Sequence, residues 1–185
     1  MIQYVALLRG INVGGRKLIQ MAQLAQIFTA AGFKNVRTYI ASGNVIFESG
    51  SANRAALTRK IEKALHQTLG YEVTVVLRTL SEIESIVNRN PFKKYEASKD
   101  VMLCVVFLAN EPKTKPKLPL VSLTDNLEVF EVAEGTACVV SRRKKTGWFG
   151  FPNNFVEKQL NVTGTTRQWS SVKKLLKFAE TGRLS

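Results

Sequence analysis

Apolar residues recur along this chain in two rhythms, and the changes between them mark out its elements. Tyr4 to Leu8 is an unbroken apolar run that stops at Arg9-Gly10, the pattern of a buried strand. Met21, Leu24, Ile27 and Phe28 then fall at helical spacing, and Gly32 ends that helix. Asn35 to Ala41 alternates as a strand does, Ser42-Gly43-Asn44 is turn-like, and Val45-Ile46-Phe47 resumes the strand pattern. Apolar positions 57, 61, 64, 65 and 69 predict an amphipathic helix over 55–69, closed by Gly70, and Glu72 to Leu77 reads as a fourth strand. The order β-α-β-β-α-β is that of a ferredoxin-like split β-α-β unit.

A second, looser unit follows. The pattern predicts a helix over Leu80–Asn88, a turn at Asn90-Pro91-Phe92 and a strand over Val101–Leu108. Glu111–Pro119, with its prolines and lysines, reads as an exposed crossover, and a short helix is predicted over Leu120–Thr124. Leu127–Val132 and Thr136–Ser141 form a predicted hairpin turned at Glu134-Gly135, followed by helices over Asn153–Leu160 and Ser170–Glu180. The expected fold class is therefore α+β, with two ferredoxin-like units, the second irregular, and helices at the C-terminus. The expected halves are 1–78 and 79–185, packed as one compact unit.

Charge changes this picture more than composition does. The chain has 185 residues, 27 Lys+Arg against 14 Asp+Glu, a net charge of +13 and a pI near 10.0. Residues 1–77 carry nine basic and three acidic side chains, 78–140 carry eight and nine, and 141–185 carry ten and two. Two basic ends thus flank a neutral middle, which suits phosphate-rich partners. The start of the chain shows neither a signal peptide nor a membrane span, and a cytoplasmic location with no membrane partner is expected. Cys104 and Cys138 lie in apolar strand-like runs and are expected to be reduced core residues. With one histidine and no Cys-x-x-Cys, no metal site is expected, and no cofactor is implied.

Four segments carry candidate chemistry. The first is Arg9-Gly10-Ile11-Asn12-Val13-Gly14-Gly15-Arg16-Lys17, where glycines allow several N–H groups to point at one anion. Arg9, Asn12, Gly14, Gly15, Arg16 and Lys17 are its candidate anion-binding residues. Gly10 and Gly15 match half of a phosphate loop, but Arg16 and Lys17 replace the lysine and Ser/Thr that an NTPase needs, so that activity is set aside. The second is Ser42-Gly43-Asn44, where Ser42 and Asn44 offer polar side chains, although a tight turn explains them too. The third is Arg142-Arg143-Lys144-Lys145 followed by Trp148, Phe149 and Phe151. It suits phosphate contacts with base stacking, so Arg142, Arg143, Lys144, Lys145 and Trp148 are candidate nucleic-acid contacts. The fourth is Thr165-Thr166-Arg167, read as a helix start whose hydroxyls and guanidinium can bind phosphate, ahead of Lys173, Lys174 and Lys177. His66 lies off the apolar face of its helix, which argues against histidine-based catalysis.

The string Tyr4-Val5-Ala6-Leu7-Leu8-Arg9-Gly10-Ile11-Asn12-Val13-Gly14-Gly15, with Met21, Leu24, Gly32-Phe33, Val36, Thr38-Tyr39 and Ser42-Gly43-Asn44-Val45, resembles the bacterial family called domain of unknown function 1697. Glu157-Lys158 and Thr165-Thr166-Arg167, with Trp169, Val172 and Lys174-Leu175, resemble that family's closing motif. The resemblance implies a two-part ferredoxin-like α+β fold and no particular activity. It also places family motifs on the three glycine-rich or polar segments at element ends, where sites usually form. On a ferredoxin-like reading, Arg9 is expected near the end of the third strand, and Ser42-Gly43-Asn44 at the opposite end of the sheet.

Three functions fit these residues. One is a nucleic-acid-binding module that uses the basic ends. Another is an enzyme or sensor for a small phosphorylated or carboxylated molecule held by Arg9, Asn12, Arg16, Lys17 and Arg167. The third is a structural or protein-interaction role in which the glycine motifs serve only the fold.

Overall fold

The computed structural model describes residues 1–12 and 18–183. The chain divides into two units, one of residues 1–84 with 175–185 and one of residues 85–174. The protein is α+β, with one antiparallel sheet of four strands and another of five.

In the first unit the elements run β1 (Ile2–Leu8), α1 (Met21–Ala30), β2 (Lys34–Tyr39), β3 (Asn44–Ser49), α2 (Arg54–Leu69) and β4 (Val75–Thr79), with strand order β2-β3-β1-β4. Alternate residues of β1 (Tyr4, Ala6 and Leu8) join Leu24, Ile27 and Phe28 of α1 and Leu57, Ile61 and Leu65 of α2 in one core. Phe47 is its hub, with ring centroids 5.5 Å from Tyr4, 5.5 Å from Phe28 and 4.5 Å from Phe33. Burying a ring of this size contributes about 2–3 kcal/mol. Val5 and Leu7, on the other face, are fully buried too, which is why the run does not alternate. The ends of α2 follow simple chemistry: the Asn53 side chain accepts from Ala56 N, and Gly70 closes the helix at a φ of 76°.

Helix α3 (Leu80–Arg89) begins directly after β4, through a capping box. Thr79 N donates to Glu82 Oε2 at 2.7 Å, and Glu82 N donates to Thr79 Oγ1 at 3.2 Å. Partial burial pushes the Glu82 carboxyl up. The Arg54 hydrogen bond, the Thr79 N–H and the charges of Arg54 and Arg78 outweigh that and hold it below the usual carboxylate value. Because the folded pKa is depressed, this contribution to stability is complete above the ordinary value of 4.5 and fades as pH falls through the folded value. Thr79→Ala is expected to cost about 1 kcal/mol in urea unfolding. Glu82→Gln is expected to flatten the acid limb of stability against pH, and an unchanged limb would contradict the cap.

In the second unit the elements are β5 (Val101–Leu108), β6 (Leu120–Ser122), β7 (Leu127–Ala133), β8 (Thr136–Arg142), α4 (Pro152–Leu160), β9 (Gly164–Gln168) and α5 (Trp169–Thr181), with strand order β6-β7-β8-β5-β9. The boundaries between units fall inside α3 and α5. Two expectations are corrected here. Leu120–Ser122 is an edge strand, not a helix, because it pairs with Leu127–Val129 after a short turn. Gly164–Gln168 is a strand rather than a helix start: Thr165 and Arg167 are buried, and the segment pairs along β5. Cys104 and Cys138 are free and buried, and they face opposite sides of the sheet, since Cys104 pairs with Val139 and Cys138 with Val105. Burial pushes both thiols up to about 12, so neither is a nucleophile at neutral pH.

The two sheets repeat one plan. With edge strand β6 set aside, the order β7-β8-β5-β9 copies β2-β3-β1-β4. Leu8 N donates to Gly43 O, and Leu108 N donates to Gly135 O, each at 2.8 Å. Arg9 N donates to Thr74 O, and Ala109 N donates to Thr163 O. Val5 pairs with Arg78, and Val105 pairs with Arg167. Both arginines are buried, at 3% and 7% exposure, and each donates Nη1 to the carbonyl just before it. The extended segment after β5 takes the place that α1 holds in the first unit, which makes the second unit the irregular copy.

Candidate functional site

The antiparallel pairing of β1 with β3 sets Leu7 opposite Asn44. The end of β1 therefore lies beside the start of β3, and the loop after Leu8 meets the Ser42-Gly43-Asn44 turn at one end of the sheet, not at opposite ends as expected. Asn12, at a φ of 54°, ties the two together. Its Nδ2 donates to Ala41 O at 2.8 Å and to Ile19 O at 3.1 Å, while its Oδ1 accepts from Ile19 N at 2.8 Å. Asn44 is buried, and its Nδ2 donates to Tyr39 O and Ser42 Oγ, both at 3.0 Å. These amides hold backbone in place. Arg9 is half-buried beside them. Gly14, Gly15, Arg16 and Lys17 lie outside the described residues.

Thr165, Thr166 and Arg167 lie along β9 in the other unit. Arg167 Nη1 donates to Thr165 Oγ1 at 2.9 Å, and the Thr166 hydroxyl bonds the Asn153 side chain of α4. Burial pushes the Arg167 guanidinium down to about 10, which leaves it charged at neutral pH.

The basic run at 142–145 is largely matched by carboxylates. Arg142 pairs with Glu128 at 3.1 Å, Arg143 with Asp100 at 3.4 Å and Lys144 with Asp125 at 2.9 Å. Lys145 has no ion-pair partner among the described residues. Trp148 is 78% exposed, so it does not fold back onto the core. The loop itself is pinned: Lys144 N donates to Trp148 O at 2.8 Å, and Arg143 bridges Phe149.

A groove of about 590 Å³ opens at the end of the second sheet where β5 begins. Its size falls in the usual range for ligand sites, roughly 300–1,000 Å³. Val101, Met102 and Leu103 line it at the start of β5, with Gln168 at the end of β9. One wall is Arg143 and Phe149, with the guanidinium 5.3 Å from the ring centroid and Arg143 Nε donating to Lys99 O at 2.9 Å. The other wall is Trp169, Ser170 and Lys173 at the start of α5, with Lys173 Nζ 5.9 Å from the Trp169 ring. Phe92 and Tyr95 complete the lining, and Phe92 packs 5.3 Å from Trp169. Burial and the Glu128 carboxylate push the Tyr95 phenol up, so it lines the groove as a neutral hydroxyl.

Lys93, Lys99, Arg143 and Lys173 thus line the groove together with half-buried Tyr95 and Phe149 and buried Phe92 and Trp169, and no carboxylate, histidine or cysteine is among its described lining residues. Lys93, Lys99 and Lys173 are exposed and have no ion-pair partner among the described residues. Among the described residues, no group of three His, Cys, Asp or Glu side chains comes together as a metal site requires. Nor is any helix among them long and apolar enough to cross a membrane.

Arg143 and Lys173 are legible in the sequence as members of basic runs, whereas Phe92, Lys93, Tyr95, Lys99 and Trp169 are not marked there as site residues. The signal was present in Phe92-Lys93-Lys94-Tyr95, where two basic residues sit between aromatics, while in the 142–151 segment four basic residues precede them.

Fold and site together define an α+β protein of two antiparallel sheets, one of which carries a cation- and aromatic-lined groove. The chain belongs to the family described as "Protein of unknown function (DUF1697)", whose model matches residues 1–137. That match covers the glycine loop and the Ser42-Gly43-Asn44 turn and ends before the 142–151 loop, β9 and α5. Among solved structures it is similar to a conserved bacterial protein, SP0830 from Streptococcus pneumoniae. The two are 18% identical with a TM-score of 0.66, over 96% of this chain and 98% of that one. At that identity the likeness shows the fold alone. No curated protein matches the chain.

Proposed function

We propose that this protein binds an anionic ligand bearing an unsaturated ring, of the nucleotide type, in the groove of the 85–174 unit. One observation carries the reading: four cations line one concavity with the half-buried rings of Tyr95 and Phe149, over a base of buried Phe92 and Trp169, and no carboxylate is among its described lining residues. Stacking rewards a ring of any sequence identity, while lysine and arginine reward the phosphate. Binding without chemistry is the better-supported role. Among the described lining residues, Ser98 and Ser170 have no histidine or carboxylate to act as a base, and the exposed lysines beside them are the groups a phosphate would pair with.

Thermal unfolding at low salt with nucleoside phosphates, nucleosides, sugar phosphates and inorganic phosphate tests this. A nucleotide at a hundred times its dissociation constant should stabilise the protein by about 2.7 kcal/mol. Nucleosides and sugar phosphates, each lacking half of the recognised chemistry, should do less. Equal stabilisation by sugar phosphates and nucleotides, or none by either, would overturn the proposal.

A further inference from the structure

The groove holds two cation–aromatic pairs rather than one, and their placement sets the length of what it can hold. Arg143 with Phe149 continues from β8, whereas Lys173 with Trp169 follows β9. Strand β5 lies between β8 and β9. Arg143 N donates to Asp100 O, while Gln168, the residue before Trp169, pairs with Cys104. The two anchors are therefore two strand spacings apart across the sheet and about three residues apart along it. With about 4.8 Å per spacing and ~3.3 Å per residue, their backbones are separated by roughly 14 Å. One ring with its own phosphate satisfies one such pair. The Trp169 ring is 5% exposed and offers no face to a base, so Lys173 needs a second phosphate, and a chain in which phosphates recur satisfies both anchors.

We infer that the natural ligand is a single strand of nucleic acid, RNA or DNA, lying across the groove from Arg143–Phe149 to Lys173–Trp169. This rests on the nucleotide-type reading above and extends it from one unit to several. A duplex fits poorly, because its base faces are stacked on each other and unavailable to side-chain rings. Lys93 and Lys99 belong to the same lining and add phosphate contacts. Asp100 pairs with Arg143, and a phosphate would displace it, since an exposed ion pair of this kind is weak.

The test is isothermal titration of the full chain with a uridine mononucleotide and with oligouridylates and oligothymidylates of increasing length up to eight residues. Arg143→Gln and Lys173→Gln variants and a duplex control are titrated alongside. Affinity should rise about tenfold or more between the mononucleotide and a tetranucleotide of either RNA or DNA. Each variant should weaken the octanucleotide about tenfold, whereas only one of them should weaken the mononucleotide. With four phosphates neutralised, log K against log salt should have a slope of about −3. Mononucleotide and octanucleotide binding with equal affinity would overturn the inference and leave the nucleotide reading standing. Duplex binding as tight as single strands would overturn it as well. Absence of binding to every one of these probes at low salt would overturn both.

Discussion

Replacing Lys93 and Lys173 together by glutamine is expected to weaken octanucleotide binding about a hundredfold. A hydrogen bond to a charged group is worth roughly 1.5–3 kcal/mol, and tenfold in affinity is about 1.4 kcal/mol. The lower figure applies, because both lysines are exposed and water screens them. Neither lysine pairs with a carboxylate among the described residues, so the double variant should unfold at the wild-type temperature. Lys94→Gln is the matched control. Lys94 stands next to Lys93 in the chain but does not line the groove, and its loss should change affinity less than about threefold. Titration calorimetry of the three proteins reads these values. A double variant within twofold of wild type would mean that the lysines only solubilise the surface.

Gly43→Ala is expected to destabilise the protein by about 3 kcal/mol, and Gly70→Ala by about 1 kcal/mol. Both glycines have a φ of 76°, so the conformational penalty of adding a side chain is shared. They differ in space. A Cβ at Gly43 would lie 2.6 Å from Ile11 Cδ1 and 3.0 Å from Leu8 Cβ, whereas nothing lies within 4 Å at Gly70. Ile11 is buried and cannot swing aside freely. The difference between the two variants in urea unfolding therefore isolates the contact between the Arg9–Asn12 loop and the Ser42–Asn44 turn. Equal effects would mean that Ile11 gives way and that the two segments are not packed tightly.

That contact shows where sequence reading stops. Ser42-Gly43-Asn44 was legible as a turn, and Tyr4–Leu8 as a buried strand. That they meet at the same end of the sheet follows only from the register, in which Leu7 faces Asn44. The first unit was readable because its apolar positions at 57, 61 and 65, and its glycine stop at 70, are local signals. The second unit hid β9, because Gly164-Thr165-Thr166 carries loop-like residues whose strand pairing is supplied by β5, far away in the chain. Segment 120–122 was misread for the same reason, with β7 supplying its partner. Arg142, Arg143 and Lys144 stood out as a charge run, yet Glu128, Asp100 and Asp125 oppose them only in the folded state. Conversely, Lys93 and Lys99 lack such partners among the described residues and become prominent only once folding brings them to Trp169 and Phe149.

Amide chemical-shift mapping with a short oligouridylate tests the central claim most directly, because it reports every segment at once. The groove predicts the largest shifts in residues 92–102, 143–149 and 168–173, growing together along a single binding curve. Largest shifts instead at residues 9–12 and 41–44, with the groove silent, would contradict it and return the binding site to the glycine loop.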